Sequence, residues 1–239
     1  MKVGSLFSGI GGLDLGLERA GMTVIWQSEI DPFCTRILAK HWPTVTNLGD
    51  ITRIDWRQVE PVDLICGGYP CQPFSYAGNR KGEADERHLW PHMLDAISIL
   101  RPQYALLENV AGHLTLGFDR VLADLAGIGF DAEWSTVSAC AMGAPHSRSR
   151  VFCLAYPQDA YGENEMHVTT RGSAQRPQPG GSSSRSRRSD WWIREPPLDR
   201  MADGVPARMV RAPLHALGNA VVPQVAEYVG RNILEGDHK

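Results

Sequence analysis

Short apolar runs alternating with helical patterns constrain this chain more than any other feature. A run at residues 3–7 precedes a helical pattern at 13–20. One at 24–26 precedes a pattern at 33–39, and one at 62–66 leads through a glycine-rich loop into a pattern at 93–100. The series continues with a run at 104–107, a helical stretch at 118–128, a β-rich stretch around 134–137 and a last run at 151–155. Strands alternating with helices of about ten residues predict a largely parallel sheet covered on both faces, an α/β domain of Rossmann type. Ligands of such sheets bind beyond the carboxyl ends of the strands, so chemistry is expected in the loops after those ends.

Composition narrows the setting. With 43% hydrophobic and 21% charged residues in 239, the chain can bury a substantial core, which excludes wholesale disorder. No apolar run reaches the roughly 18 to 20 residues a membrane span needs, and no signal peptide opens the chain, so a cytoplasmic protein is expected. The five cysteines (Cys34, Cys66, Cys71, Cys140, Cys153) are odd in number and form no CxxC pair, against a disulfide framework or structural zinc. His88, His92, His113 and His215 lack metal-ligand spacing and read as surface or packing residues; no metal is expected.

The first strand runs into Phe7-Ser8-Gly9-Ile10-Gly11-Gly12 before a helix, where glycines let the backbone approach a ligand. Asp14 stands where a dinucleotide fingerprint requires glycine, so GxGxxG fails and an NAD-dependent oxidoreductase is disfavoured. Glu29, 18 residues after Gly11, ends the second strand where a carboxylate accepts from ribose hydroxyls. Together they imply an adenosine-containing ligand, not necessarily NAD. After the buried run 62–66 comes Gly67-Gly68-Tyr69-Pro70-Cys71-Gln72-Pro73-Phe74-Ser75-Tyr76-Ala77-Gly78, which puts a cysteine between two prolines at the active edge. Glu108-Asn109-Val110 ends the next strand with a carboxylate at the same edge. Arg148 and Arg150, spaced i and i+2, point to one side of the strand they enter.

In these motifs and their order the chain resembles the DNA cytosine-5 methyltransferases. The FxGxGG turn, the GxPCQxFSxxG loop, ENV, RxR and the block from Leu217 to Pro223 carry the resemblance, over residues 1–155 and about 198–230. It implies a Rossmann-like S-adenosylmethionine-dependent fold with a small, partly irregular target-recognition region. Cys71 would be the nucleophile that adds to cytosine C6, while Glu108 donates to N3 and accepts from the exocyclic amine. Arg150 would hold O2, with Arg148 assisting or orienting the carboxylate. Phe7, Ser8, Gly9, Gly11 and Gly12 would line the cofactor, Glu29 bind its ribose and Ile30 pack on its adenine. Asp50 and Ile51 would read the adenine edge, with Pro70, Leu89, Asn219 and Val221 completing the site. The target base must be flipped out of the duplex. His146 departs from the family's usual Gln two residues before the first Arg of RxR, which predicts a reduced rate before lost function.

The expected division is a catalytic and cofactor-binding domain at 1–156, a short target-recognition region at 157–197 and a returning C-terminal segment at 198–239. Residues 171–190 hold five Arg and six Ser and no large apolar side chain, so they are expected to order on binding DNA. Arg171, Arg176, Arg185, Arg187 and Arg188, with Ser75 of the Pro-Cys loop, are the predicted DNA contacts. Trp191 and Trp192 are expected to anchor the segment. The near-neutral total of -3 hides a balance of +5 over residues 171–211 against -8 elsewhere. The expected partner is double-stranded DNA and the expected state a monomer; a companion restriction endonuclease stays open. The rival readings are a tRNA cytosine-5 methyltransferase and a nonenzymatic DNA-binding relative.

Overall fold

A computed structural model of the chain describes residues 1–70, 89–115, 117–146, 148–158 and 216–236. Its centre is a sheet in the order β3-β2-β1-β4-β5-β7-β6. The strands are β1 (Lys2–Leu6), β2 (Thr23–Ser28), β3 (Thr46–Asn47), β4 (Leu64–Gly67), β5 (Tyr104–Val110), β6 (Phe130–Ser138) and β7 (Ser149–Pro157). Helices α1 (Gly12–Ala20), α2 (Pro32–His41), α3 (Trp90–Leu100), α4 (Phe118–Gly127) and α5 (Pro223–Gly236) accompany it. The five strands β3 to β5 in that order pair in parallel, as the alternation predicts. β7 runs antiparallel to both β5 and β6, because the short connection after β6 returns the chain directly alongside rather than through a crossover helix.

Alternate residues of the central strands feed two cores. Leu6, Trp26, Ile65 and Leu107 join Met93, Ile97 and Leu125 of α3 and α4 on one face. Val3, Val24, Leu64 and Leu106 join Leu13 and Leu17 of α1 and Val225, Ala226 and Ile233 of α5 on the other. Burial on both faces explains why β4 and β5 are continuous apolar runs and not alternating ones. β6, at the sheet edge, alternates more weakly and leaves Trp134 half exposed.

Local signals fix the element ends. Asp31 caps α2 by accepting from the backbone N–H groups of Phe33 and Cys34, with Pro32 at the first helical position. α1 stops at Gly21, whose left-handed conformation returns its N–H to the carbonyls of Leu17 and Glu18. Among the described residues no helix is long and apolar enough to cross a membrane.

Strand order reverses at β1: the chain moves outward through β2 and β3, then returns to place β4 on the other side of β1. Such a reversal opens a crevice at the carboxyl ends of the two strands. It lies between the turn after β1 and the Pro-Cys loop after β4.

Candidate active site

Leu6 pairs with Gly67 and Gly67 with Leu107, so β1 and β4 end level with each other while β5 runs three residues further along the same edge. The β1–α1 turn is sharp: Phe7, Gly9 and Gly11 have φ of 52°, 56° and 83°. Phe7 is uncommon there, since a non-glycine residue takes this conformation only when its surroundings hold it. Gly11 is required by packing, because a Cβ would strike the ring of Trp42. Beside Gly9 the space is open: an added Cβ would meet nothing nearer than 4.0 Å.

Glu29 stands at the end of β2 and grips this turn. Its Oε2 accepts from Gly9 N at 2.7 Å, and its Oε1 accepts from the N–H groups of Ile30 and Asp31, each at 2.8 Å. Asn47 steadies the residue, accepting from Glu29 N and donating to its carbonyl, both at 3.0 Å. Three of about four carboxylate acceptor positions are thus filled, and one on Oε2 remains for a hydroxyl donor. Ile30 beside it is 66% exposed, the most exposed large apolar side chain described. Asp50 caps its own turn, accepting from Thr52 N at 3.0 Å and Oγ1 at 2.8 Å, which holds its carboxyl below the usual range. Ile51 and Ser8 are buried, Leu89 immediately precedes α3 and Pro70 is half-buried. This donor set, an exposed apolar residue beside an oriented carboxylate, suits a nucleoside.

β5 runs on through Val110, which puts Glu108 inside the strand instead of in the loop beyond it. Glu108 pairs with Phe152 of β7, so Arg150, two residues from Phe152, projects on the same face one diagonal away. Arg150 Nε lies 3.0 Å from Glu108 Oε1. Burial pushes the Glu108 carboxyl up to about 7, against the downward pull of Arg150 and Arg148. The stem of the Pro-Cys loop passes directly over it, since a Cβ on Gly68 would sit 2.7 Å from Oε2.

Arg148 stands at the entry to β7. The last β5–β7 pair is Val110 with Arg150, so Arg148 lies beyond the paired part of β5, while its charge still reaches Glu108 and pulls the carboxyl down. Its guanidinium donates to the carbonyls of Gly218 and Ala220, at 2.5 and 2.6 Å. The ion pair with the Glu108 carboxylate at 3.0 Å is made by Arg150. The segment 216–221 is thereby drawn to the same edge: Val221 is buried, its carbonyl oxygen lies against Gly12, and Asn219 is exposed. His146 is exposed near the entry to β7.

Cys71, Ser75, His88, Arg171, Arg176, Arg185, Arg187, Arg188, Trp191, Trp192 and His215 lie outside the described residues. Of the described cysteines, Cys34, Cys66 and Cys153 are buried, and burial pushes the thiols of Cys34 and Cys153 up to about 12. No cluster of three or more metal-ligating side chains occurs among the described residues. Two buried polar side chains that the sequence analysis left without a structural role tie the site together. Asp14 accepts from Ser5 Oγ at 2.6 Å and from Gln27 Nε2 at 2.5 Å beneath the β1–α1 turn. Asn109 Nδ2 donates to the carbonyl of Tyr69 at 3.0 Å. No periodicity in a single sequence marks such partners.

Fold and site together define a methyltransferase-like α/β protein with an acid at the edge of its sheet. The chain belongs to the family described as C-5 cytosine-specific DNA methylase, whose model matches residues 1–185. It is 36% identical over 164 residues to Type II methyltransferase M2.BsuMI of Bacillus subtilis, covering 65% of this chain and 42% of that protein. To Type II methyltransferase M.DsaV of Dactylococcopsis salina it is 33% identical over 171 residues, 69% of this chain and 48% of the relative. The chain thus spans about half the length of such relatives. A structure described as a DNA modification methyltransferase encoded within an E. coli prophage superposes with a TM-score of 0.56 at 30% identity, covering 66% of this chain and 47% of that one. The S. pombe Dnmt2 methyltransferase gives a TM-score of 0.57 at 25% identity, with 66% and 51% covered.

Proposed function

We propose that this chain transfers a methyl group from S-adenosylmethionine to C5 of a cytosine flipped out of duplex DNA. The Glu108–Arg150 pair carries the reading: a carboxyl that burial pushes up to about 7, held by a guanidinium beneath the stem of the Pro-Cys loop. Cys71, as thiolate, forms the S–C6 bond. The displaced π electrons move through C4 to N3, where Glu108 delivers its proton; burial keeps that proton available. Arg150, with Nε on Glu108 and one Nη on the Ser149 carbonyl, directs its remaining Nη to O2. S-adenosylmethionine, when bound, supplies an electrophilic methyl group on sulfur for the nucleophilic C5. Glu108 then recovers the N3 proton, the C5 proton passes to solvent, and the electrons freed at C5 expel the Cys71 thiolate.

For the cofactor, the open space at Gly9, the remaining acceptor position of Glu29 and the exposed Ile30 support a ribose and adenine along the β1–α1 turn. Phe7, Ser8, Gly11 and Gly12 shape that turn, and Asp50, Ile51, Pro70, Leu89, Asn219 and Val221 bound the crevice. Residues 1–156 form the catalytic part, 157–197 recognise the target through Arg171, Arg176, Arg185, Arg187 and Arg188, and 198–239 return to the catalytic part.

Transfer of labelled methyl from the cofactor to duplex DNA, with tRNA as the parallel substrate, tests this directly. DNA carrying 5-fluorocytosine should trap a covalent complex with wild-type protein and none with Cys71→Ser. Labelling of tRNA alone, or an adduct with Cys71→Ser, would overturn the reading. Bisulfite sequencing of DNA from an expressing host would give the target context.

A further inference from the structure

Tyr69, two residues before Cys71, is held at three points. Its carbonyl accepts from Asn109 Nδ2 at 3.0 Å. Its ring packs on Trp90, with centroids 5.1 Å apart, and Trp90 is itself anchored through Nε1 to Asp124 Oδ2 at 2.8 Å. Its hydroxyl lies 2.8 Å from Nε2 of His113, which sits edge-on to Phe118. Tyr69, Trp90 and His113 are each no more than 3% exposed. The direct contacts come from β5, from the 3-10 turn after it and from α3, while Asp124 and Phe118 of α4 support Trp90 and His113 from behind.

Resting on the assignment of Cys71 as nucleophile, we propose that the Tyr69–His113 pair is a positioning device that aims Cys71 at its target. Replacing the pair as a unit need not cost stability, although removing one member alone leaves the other buried and unpaired. A buried hydroxyl and imidazole replaced together by apolar groups of the same shape are close to neutral, so such a pair contributes direction more than free energy. Direction matters because the nucleophile is only two residues further along the chain. Asn109 fixes the Tyr69 carbonyl, and the hydroxyl and ring contacts fix the side chain. Next comes Pro70, whose ring locks φ near about -65°. Between the fixed Tyr69 peptide and the Cα of Cys71 the backbone keeps a single soft dihedral, ψ of Pro70. A thiolate that must reach C6 within near-attack distance gains from that restriction, since a displacement of about 1 Å can cost a hundredfold in rate.

The experiment uses the full chain and duplex DNA with 5-fluorocytosine, and tracks the rate of adduct formation by rapid quench alongside the thermal midpoint. Tyr69→Phe keeps the ring and loses only the hydroxyl. It should slow adduct formation about ten- to a hundredfold while the cofactor-induced thermal shift stays at the wild-type value and the thermal midpoint falls by no more than the few degrees that one unpaired buried imidazole costs. His113→Gln, which can still donate or accept, should recover most of the rate, whereas His113→Leu should match Tyr69→Phe. The double variant Tyr69→Phe/His113→Leu should be no slower than either single one. Should His113→Leu fail to fold, Tyr69→Phe and His113→Gln still decide the matter. Wild-type adduct with an unchanged rate in Tyr69→Phe overturns the positioning role alone, as do effects that simply multiply in the double variant. Absence of adduct in wild type overturns the nucleophile assignment, and the positioning role with it.

Discussion

Glu108→Gln should make the protein less active and, in alkaline solution, more stable. In the folded state burial pushes the Glu108 carboxyl from 4.5 up to about 7. Because the folded value is raised, ionisation opposes folding: the native state is favoured while the carboxyl is neutral, and that advantage drains away between pH 4.5 and about 7. A shift of this size corresponds to about 3 kcal/mol once the pH is well above both values. Glutamine mimics the neutral acid at every pH. Relative to wild type the variant should gain about 3 kcal/mol at pH 8 and less than about 1 kcal/mol at pH 5. At 2–4 °C per kcal/mol for a chain of this size, the Tm advantage should grow by roughly 5–10 °C between those conditions. Paired thermal melts in matched buffers measure it. Kinetics supply the other half: wild-type methyl transfer should fall about tenfold per pH unit above about 7. The variant should lose that limb and about 10²–10⁴-fold of the rate. A variant less stable than wild type at pH 8, or an alkaline limb that survives in it, would refute the reasoning.

Three further outcomes are expected. Gly12→Ala drives a methyl group into the Val221 carbonyl and should cost about 1–3 kcal/mol in urea denaturation, whereas Gly21→Ala is opposed only by its positive φ. Arg148→Ala removes two charge-assisted hydrogen bonds to the carbonyls of Gly218 and Ala220, so limited proteolysis should cut near 216–221 several-fold faster. Native alkylation at pH 8 read by mass spectrometry should modify the exposed Cys140 and spare Cys34, Cys66 and Cys153, whose thiols burial holds far from ionisation.

The β1–α1 turn, Glu29 at the end of β2 and the paired arginines were legible because each obeys a local rule: glycine at a strand-helix turn, a carboxylate at a strand end, period-two spacing. What those rules cannot supply is register. Arg148 and Arg150 share a face by spacing alone, but only the pairing of Glu108 with Phe152 decides which of them meets the carboxylate. Asp14 shows the same limit from another side. In one dimension it is a broken fingerprint, while in three it is a buried acceptor that joins Ser5 of β1 to Gln27 of β2. Tyr69 and His113 are 44 residues apart, with no shared motif, and a lone histidine reads more often as packing than as a partner.

The C-terminal contacts explain how one catalytic geometry can serve chains of very different length. α5 lies against α1 through glycines: Gly16 meets Ala226 and the Pro223 carbonyl, and Gly230 meets Ala20 and Leu17. Side chains at these positions would hold the helices apart, so the close approach is written into both segments. Arg148 adds a polar tie from the start of β7 to the carbonyls of Gly218 and Ala220. These anchors set the distance between the RxR strand and the 216–236 segment without reference to the chain that joins them. Lengthening a connection whose ends are already fixed costs little, about 0.6 kcal/mol for each doubling. A longer joining segment would therefore leave the spacing of Glu108, Arg150 and the β1–α1 turn unchanged. On the proposed reading, target choice and methyl transfer answer to separate parts of the chain, and substitutions within 157–197 should change which DNA is bound before they change the pH dependence set by Glu108.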